Sequence, residues 1–211
     1  MPKREQILAA ACADLVGLAL LIAAKSIWVC KLSGLSWPTP AGWAMSMATS
    51  VLLVAPLALL SGRARRVSVF WLNVVVSAVF IGDVTHALFF RDLMSMHGAG
   101  GLSGLMMISD SVQAMFGPGQ AFLVADIALI GLWRMLRHGV PTERSGRRRH
   151  AVGLLAISLI FASWSLSIHA KNKSTGMFLR VWSTRALVRG AGVVGFHLHD
   201  TARYLVDQVF V

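Results

Sequence analysis

Charge is what this sequence has least of. Only 14% of its 211 residues are Asp, Glu, Lys or Arg, where a water-soluble domain carries nearer a quarter. That shortage, beside 56% hydrophobic residues and a mean hydropathy of +0.67, excludes an ordinary soluble fold. The two cysteines, Cys12 and Cys30, are eighteen residues apart, about 27 Å along one helix and far beyond disulfide reach. They say nothing of redox compartment. A Cys-x-x-Cys-His motif is missing, so covalently attached haem is not indicated. No small-residue cleavage site follows the first apolar stretch, which reads as a retained span and not a removed signal peptide. No nucleophile with an adjacent base and no metal-ligand set is visible, so this chain by itself reads as non-catalytic.

What is present comes in blocks. Apolar runs of roughly twenty residues match the length that crosses about 30 Å of hydrocarbon at about 1.5 Å per residue. The fold class is therefore all-α and polytopic, with five spans expected at about 7–29, 43–60, 67–90, 119–136 and 151–170. Residues 1–170 form the transmembrane domain and 171–211 an extracytoplasmic amphipathic segment. Pro38, Pro40 and Gly42 punctuate the first connection, Gly139 and Pro141 the last.

The net charge of +11 does not point to nucleic acid, because the basic residues sit between apolar blocks, where membrane topology puts them. One set of connections holds Lys3, Arg4, Arg63, Arg65, Arg66, Arg134, Arg137, Arg144, Arg147, Arg148 and Arg149. The other holds Lys31 and Arg91, with Lys25 just inside the membrane. This imbalance predicts a cytoplasmic N-terminus, and five spans then carry the C-terminus outside. Six further basic residues lie from Lys171 onward; they follow the last span and do not reverse the assignment. Trp28, Trp37 and Trp43 mark the outer surface as interfacial anchors.

Between the third and fourth spans, 91–118 is too polar and glycine-broken to span, and too apolar to float in water. It predicts a helix in the outer interface over about 101–116. After the fifth span, 171–176 reads as a turn. A loosely amphipathic stretch with Arg180, Arg185 and Arg189 follows, interrupted by Gly190, Gly192 and Gly195. The last segment carries Leu198, Ala202, Leu205 and Val209 on one stripe and His199, Asp200, Arg203 and Asp207 on the opposite one. Such a helix rests on a membrane or against a neighbour, and the apolar ending Phe210-Val211 predicts that more chain follows.

Ionisable residues inside spans are costly and face a bundle interior or a site. Here they are Asp14, Lys25, Asp83, His86 and Asp126. Asp83 and Asp126 both fall about 10 Å below the outer surface, with His86 one turn above Asp83 and Lys25 near the outer end of the first span. Asp14 lies apart, near the inner end. Two readings stand: a recess open to the outer leaflet that handles a lipid head group, or a structural knot in which Lys25 neutralises one carboxylate and interhelical hydrogen bonds hold the bundle. Arg91 divides similarly, between a phosphate-binding fork and a side chain snorkelling at a helix end. His86 and His169 are the histidines at span level, and a facing pair could ligate haem; interfacial or satisfied polar histidines are the alternative.

Two stretches resemble a known family. Ile81-Gly-Asp-Val-Thr-His-Ala-Leu-Phe-Phe-Arg-Asp92, with Ser109-Asp-Ser-Val-Gln113 and Val124-Ala-Asp126, is similar to the membrane domain of the lipoteichoic acid synthase family. Its third helix ends with an Asp before an aromatic and basic run, and its fourth helix carries another Asp. That run is often Tyr-rich; here it is Ala87-Leu-Phe-Phe90. Arg189-Gly-Ala-Gly-Val-Val-Gly-Phe-His-Leu-His-Asp200 looks like the family's Gly-x-x-x-[Phe/Tyr]-His-x-x-Asp element. The resemblance implies a bacterial cytoplasmic (inner) membrane and a sulfatase-like domain, of the alkaline phosphatase superfamily, beyond residue 211. That domain would use a Thr nucleophile and a divalent metal, Mn or Mg, with no cofactor in the present chain. It would transfer phosphoglycerol or a related phospho-alcohol from an anionic, phosphatidylglycerol-like phospholipid to a glycolipid, polymer or glycan. The recess of Lys25, Asp83, His86, Arg91 and Asp126 would orient the head group. Arg180, Arg185, Arg189, His197, His199, Asp200 and Arg203 would dock the enzyme domain. A second copy of the chain is a further partner this reading admits. The rival is a small transporter or lipid-handling scaffold built on the intramembrane Asp/His/Lys cluster.

Overall fold

The computed structural model describes residues 2–35, 38–95, 117–136, 144–171 and 183–210. Every regular element in them is helical: α1 (Pro2–Leu32), α2 (Pro40–Val54), a 3-10 turn (Ala55–Leu59), α3 (Gly62–Phe90), α4 (Pro118–Leu136), α5 (Arg144–Lys171) and α6 (Thr184–Phe210).

Local chemistry sets the boundaries. Thr39 starts α2: its Oγ accepts the Gly42 N–H at 3.1 Å, satisfying a donor that the first turn leaves open, while Pro40 occupies a position where no N–H is needed. Pro56 lacks the N–H that would continue the ladder, and the helix tightens into its 3-10 turn there. α3 closes on Arg91, held left-handed at φ 60°, ψ 23° with its N–H on the Ala87 carbonyl. Gln120 Oε1 accepts the Gly117 N–H at 2.9 Å just before α4.

Across the bundle the order is α5, α2, α1, α3, α4, with α6 laid over α2 and α1. The interior face of α3 is Val69, Asn73, Val76, Ser77, Phe80, Asp83, Val84 and Ala87, recurring every three or four residues as one helical face must. Its opposite face shows Trp71 and Val75, as a lipid-facing surface does. α5 meets α2 through a narrow seam of small and polar residues: Ser158 Oγ donates to the Ala48 carbonyl and Ser165 Oγ to the Ala41 carbonyl, both at 2.8 Å. In hydrocarbon, close packing and such bonds replace the hydrophobic drive between helices. Away from that seam Leu159, Ile160 and Trp164 are exposed.

Among the described residues, four helices are long and apolar enough to cross a membrane: Ala13–Leu32, Pro40–Leu59, Gly62–Phe90 and Arg147–Lys171. The expected fourth of five spans falls on α4, whose apolar part, Pro118–Gly131, is shorter than the others. Helices α3 and α5 begin several residues before the expected spans, at Gly62 and Arg144, and carry exposed Arg63 and exposed Arg148 and Arg149 near those starts. The interfacial helix expected over 101–116 lies outside the described residues.

Candidate functional site

The ionisable groups inside the bundle sort into two clusters on different turns of α3. In the first, Lys25 of α1 is 3% exposed. Its Nζ stands 2.8 Å from Asp126 Oδ1 of α4 and donates to Asn73 Oδ1 at 3.0 Å and Ser77 Oγ at 2.6 Å. Asn73 Nδ2 donates in turn to Asp126 Oδ2 at 2.7 Å, and Ser77 Oγ donates to the Asn73 carbonyl at 2.8 Å. One cation, one carboxylate and two neutral partners thus close a circuit across three helices. A buried charge is tolerated under that condition, paired and with its remaining protons placed. Above it, Trp28 Nε1 donates to the Gly119 carbonyl at 3.0 Å, its ring packs on Phe122, and Lys31 Nζ sits 4.7 Å over that ring.

The second cluster is nearer the end of α3. Asp83 is fully buried, and His197 of α6 places Nε2 2.6 Å from its Oδ2; a carboxylate partner selects the tautomer that donates from Nε2. The Met94 backbone amide lies against the same carboxyl. His86, one turn on, turns its Nδ1–H to the Asp92 carbonyl at 2.8 Å and stacks on Phe90. Arg91 is exposed at the end of the helix. The expected five-residue recess is thus divided: Lys25 and Asp126 meet each other, Asp83 meets His197, and His86 and Arg91 stand at the rim. Asp14 stays apart.

Sequence reasoning singled out neither Asn73 nor Ser77, since single neutral polar residues inside an apolar run look incidental. Their spacing of four on the face that carries Asp83 was the available signal. The placement of 187–197 was also missed. Leu187, Val188, Ala191, Val193, Val194 and Phe196 are all buried, and the chain tracks α2 inward from the helix start. Thr39 N and Oγ donate to the Arg189 carbonyl at 3.0 and 3.2 Å, and Gly42 leaves no room for a Cβ beside that carbonyl. Farther along α2, Gly192 meets Ser46 and Gly195 meets Met45 and Thr49. From Thr39 to Thr49 is ten residues, about 15 Å of descent. Gly192, at φ 73° and ψ 172°, breaks α6 there, a geometry open to glycine. Val193 N then donates to Ser26 Oγ at 3.3 Å, and His169 Nε2–H to the Gly190 carbonyl at 3.0 Å. His86 on α3 and His169 on α5 do not lie on neighbouring helices, as a haem-ligating pair would, since α1 and α2 pack between those two.

Of the expected docking residues, Arg185, Arg189 and Arg203 have exposed side chains, while His197, His199 and Asp200 are half-buried. Arg203 approaches Asp207 at 3.9 Å along the same helix. Arg180, like Trp37, lies outside the described residues. Among the described residues no group of three or more His, Cys, Asp or Glu is placed to hold a metal ion.

These features define a multi-pass helical membrane domain whose last element is bolted into one end of the bundle through α1, α2, α3 and α5. The family model for the lipoteichoic acid synthase N-terminal domain matches residues 6–209, and the chain belongs to that family. No curated protein and no solved structure matches it.

Proposed function

We propose that this domain crosses a bacterial cytoplasmic membrane five times, with α4 as the fourth crossing, its N-terminus inside and α6 at the outer face. It anchors a metal-dependent phosphoglycerol (phospho-alcohol) transferase domain, continuing past residue 211, over the plane where a phosphatidylglycerol-like donor presents its phosphodiester. The Thr nucleophile and its Mn or Mg belong to that domain. His86 and Arg91, at the rim above the buried Asp83, orient the donor head group, with Arg91 supplying the two-pronged contact that phosphate accepts.

The observation that carries this reading is the fastening of α6. His197–Asp83, His169–Gly190, Thr39–Arg189 and Ser26–Val193 tie it to four different helices. A domain extending from such an element inherits a fixed height and orientation, and positioning of this kind is worth large rate factors. The test uses the full-length protein in vesicles, comparing transfer from phosphatidylglycerol with hydrolysis of a soluble glycerol phosphodiester. Asp83→Asn should lower the lipid rate about 10- to 100-fold and leave the soluble rate unchanged. Arg91→Ala should do the same if the rim holds the head group; with both rates intact, that role falls and the anchor stands. The Lys25–Asp126 circuit favours a second reading, a small transporter or lipid-handling scaffold. Solute or lipid flux that is lost in Asp126→Asn, with no transferase activity in the parent, would establish it.

A further inference from the structure

Beyond Gly192, the second half of α6 leaves the bundle, and its side chains fall into three stripes. His197 holds Asp83, and Thr201 and Tyr204, one and two turns on, are half-buried on that same side. A second stripe, Leu198, Ala202, Leu205, Val206 and Val209, is apolar and exposed, Leu205 at 57% and Val209 at 74%. A third carries Asp200, Arg203 and Asp207. At about 100° per residue the centres of the three lie roughly 120° apart. One element with three such faces fits a place where three media meet: protein on one side, hydrocarbon on another, water on the third.

Depth agrees. His197 is pinned to Asp83, seven residues before the end of α3 at Phe90, so the helix departs about 10 Å below that end. In-plane amphipathic helices bury their apolar face about 5–10 Å into the boundary between head groups and acyl chains. The apolar stripe, about 17 Å long by 10 Å wide, covers roughly 170 Å², against about 800 Å² per partner in a stable protein interface. Lipid suits it better than a second copy.

We infer that residues 197–210 form an in-plane helix at the bilayer surface, with Leu198, Leu205, Val206 and Val209 seated among acyl chains and Arg203 and Asp207 in water. This goes beyond the proposed function and stands without a bound head group, because hydrocarbon alone supplies the partner. The test places a fluorescent label at Leu205→Cys, Val209→Cys, Arg203→Cys or Asp207→Cys, in a Cys12→Ala, Cys30→Ala background, in phosphatidylcholine vesicles. Lipids brominated on the acyl chains should quench positions 205 and 209 and spare 203 and 207; aqueous iodide should do the reverse. Equal iodide quenching at all four would overturn the inference by placing the helix in water. Protection of 205 and 209 from both quenchers, with cysteine cross-links between two copies there, would overturn it in favour of a self-interface.

Discussion

His197 and Asp83, 114 residues apart, meet at 2.6 Å between Nε2 and Oδ2, with the carboxyl fully buried. The contact turns a segment readable as an external tail into part of the bundle. If it is the latch that holds α6, His197→Ala should leave a buried carboxyl without its side-chain donor and free the helix beyond it. Hydrogen exchange should show the amides of 193–204 losing protection, with those of α3 retained.

The groove that receives α6 makes a steric prediction. A Cβ on Gly42 would collide with the Arg189 carbonyl, which is backbone and yields little. Gly42→Ala should therefore cost about 1–3 kcal/mol, read as a lowered melting temperature in detergent, with faster proteolysis near residue 189. Gly153→Ala, inside α5 with nothing within 4 Å, is the control and should melt no lower than the parent, since a helix interior favours Ala over Gly.

Lys25 and Asp126 predict a charge-swap rescue. Lys25→Ala removes the only cation described in the circuit and strands Asp126, at about 3–5 kcal/mol for a broken buried pair. The exchange Lys25→Asp with Asp126→Lys should recover part of that loss. A double variant no more stable than either single one would mean that the pair is incidental to the fold.

Much of this was legible in the residues. Apolar blocks announced the helices, and Lys25, Asp83 and Asp126 stood out because a charge in a span demands a reason. Depth along each helix was also readable, at about 1.5 Å per residue. Rotation was not. Asp83 is ten residues beyond Asn73, about 15 Å up the helix and on another sector of the buried face, so Lys25 meets Asp126 and not Asp83. The descent of 187–197 was hidden for a different reason. Gly190, Gly192 and Gly195 read as interruptions of an amphipathic helix, but their small size is what lets two backbones approach closely. Which of the two a glycine does depends on what stands opposite it, and that is a property of the fold.

Arg91 couples stability to the proposed head-group role. It is the one non-glycine residue among those described with a positive φ, 60°, a region that costs such residues about 1–2 kcal/mol. Arg91→Gly should raise the melting temperature. If the guanidinium also holds phosphate, the same change should lower retention of phosphatidylglycerol in the purified protein, a trade of stability against function. Higher stability with unchanged lipid retention would confine Arg91 to the helix end.

The proposed topology turns on where α6 sits relative to the basic start of α5. His169, near the last residue of α5, bonds Gly190, while Arg147–Arg149 lie in the first two turns of that helix, about 30 Å away along its axis. Labelling intact cells with a membrane-impermeant maleimide, at Arg148→Cys and at Arg203→Cys, reads the two sides directly. Reaction at 203 from outside, with 148 reached only after the membrane is opened, is the predicted result. Labelling of both positions from the same side would contradict it.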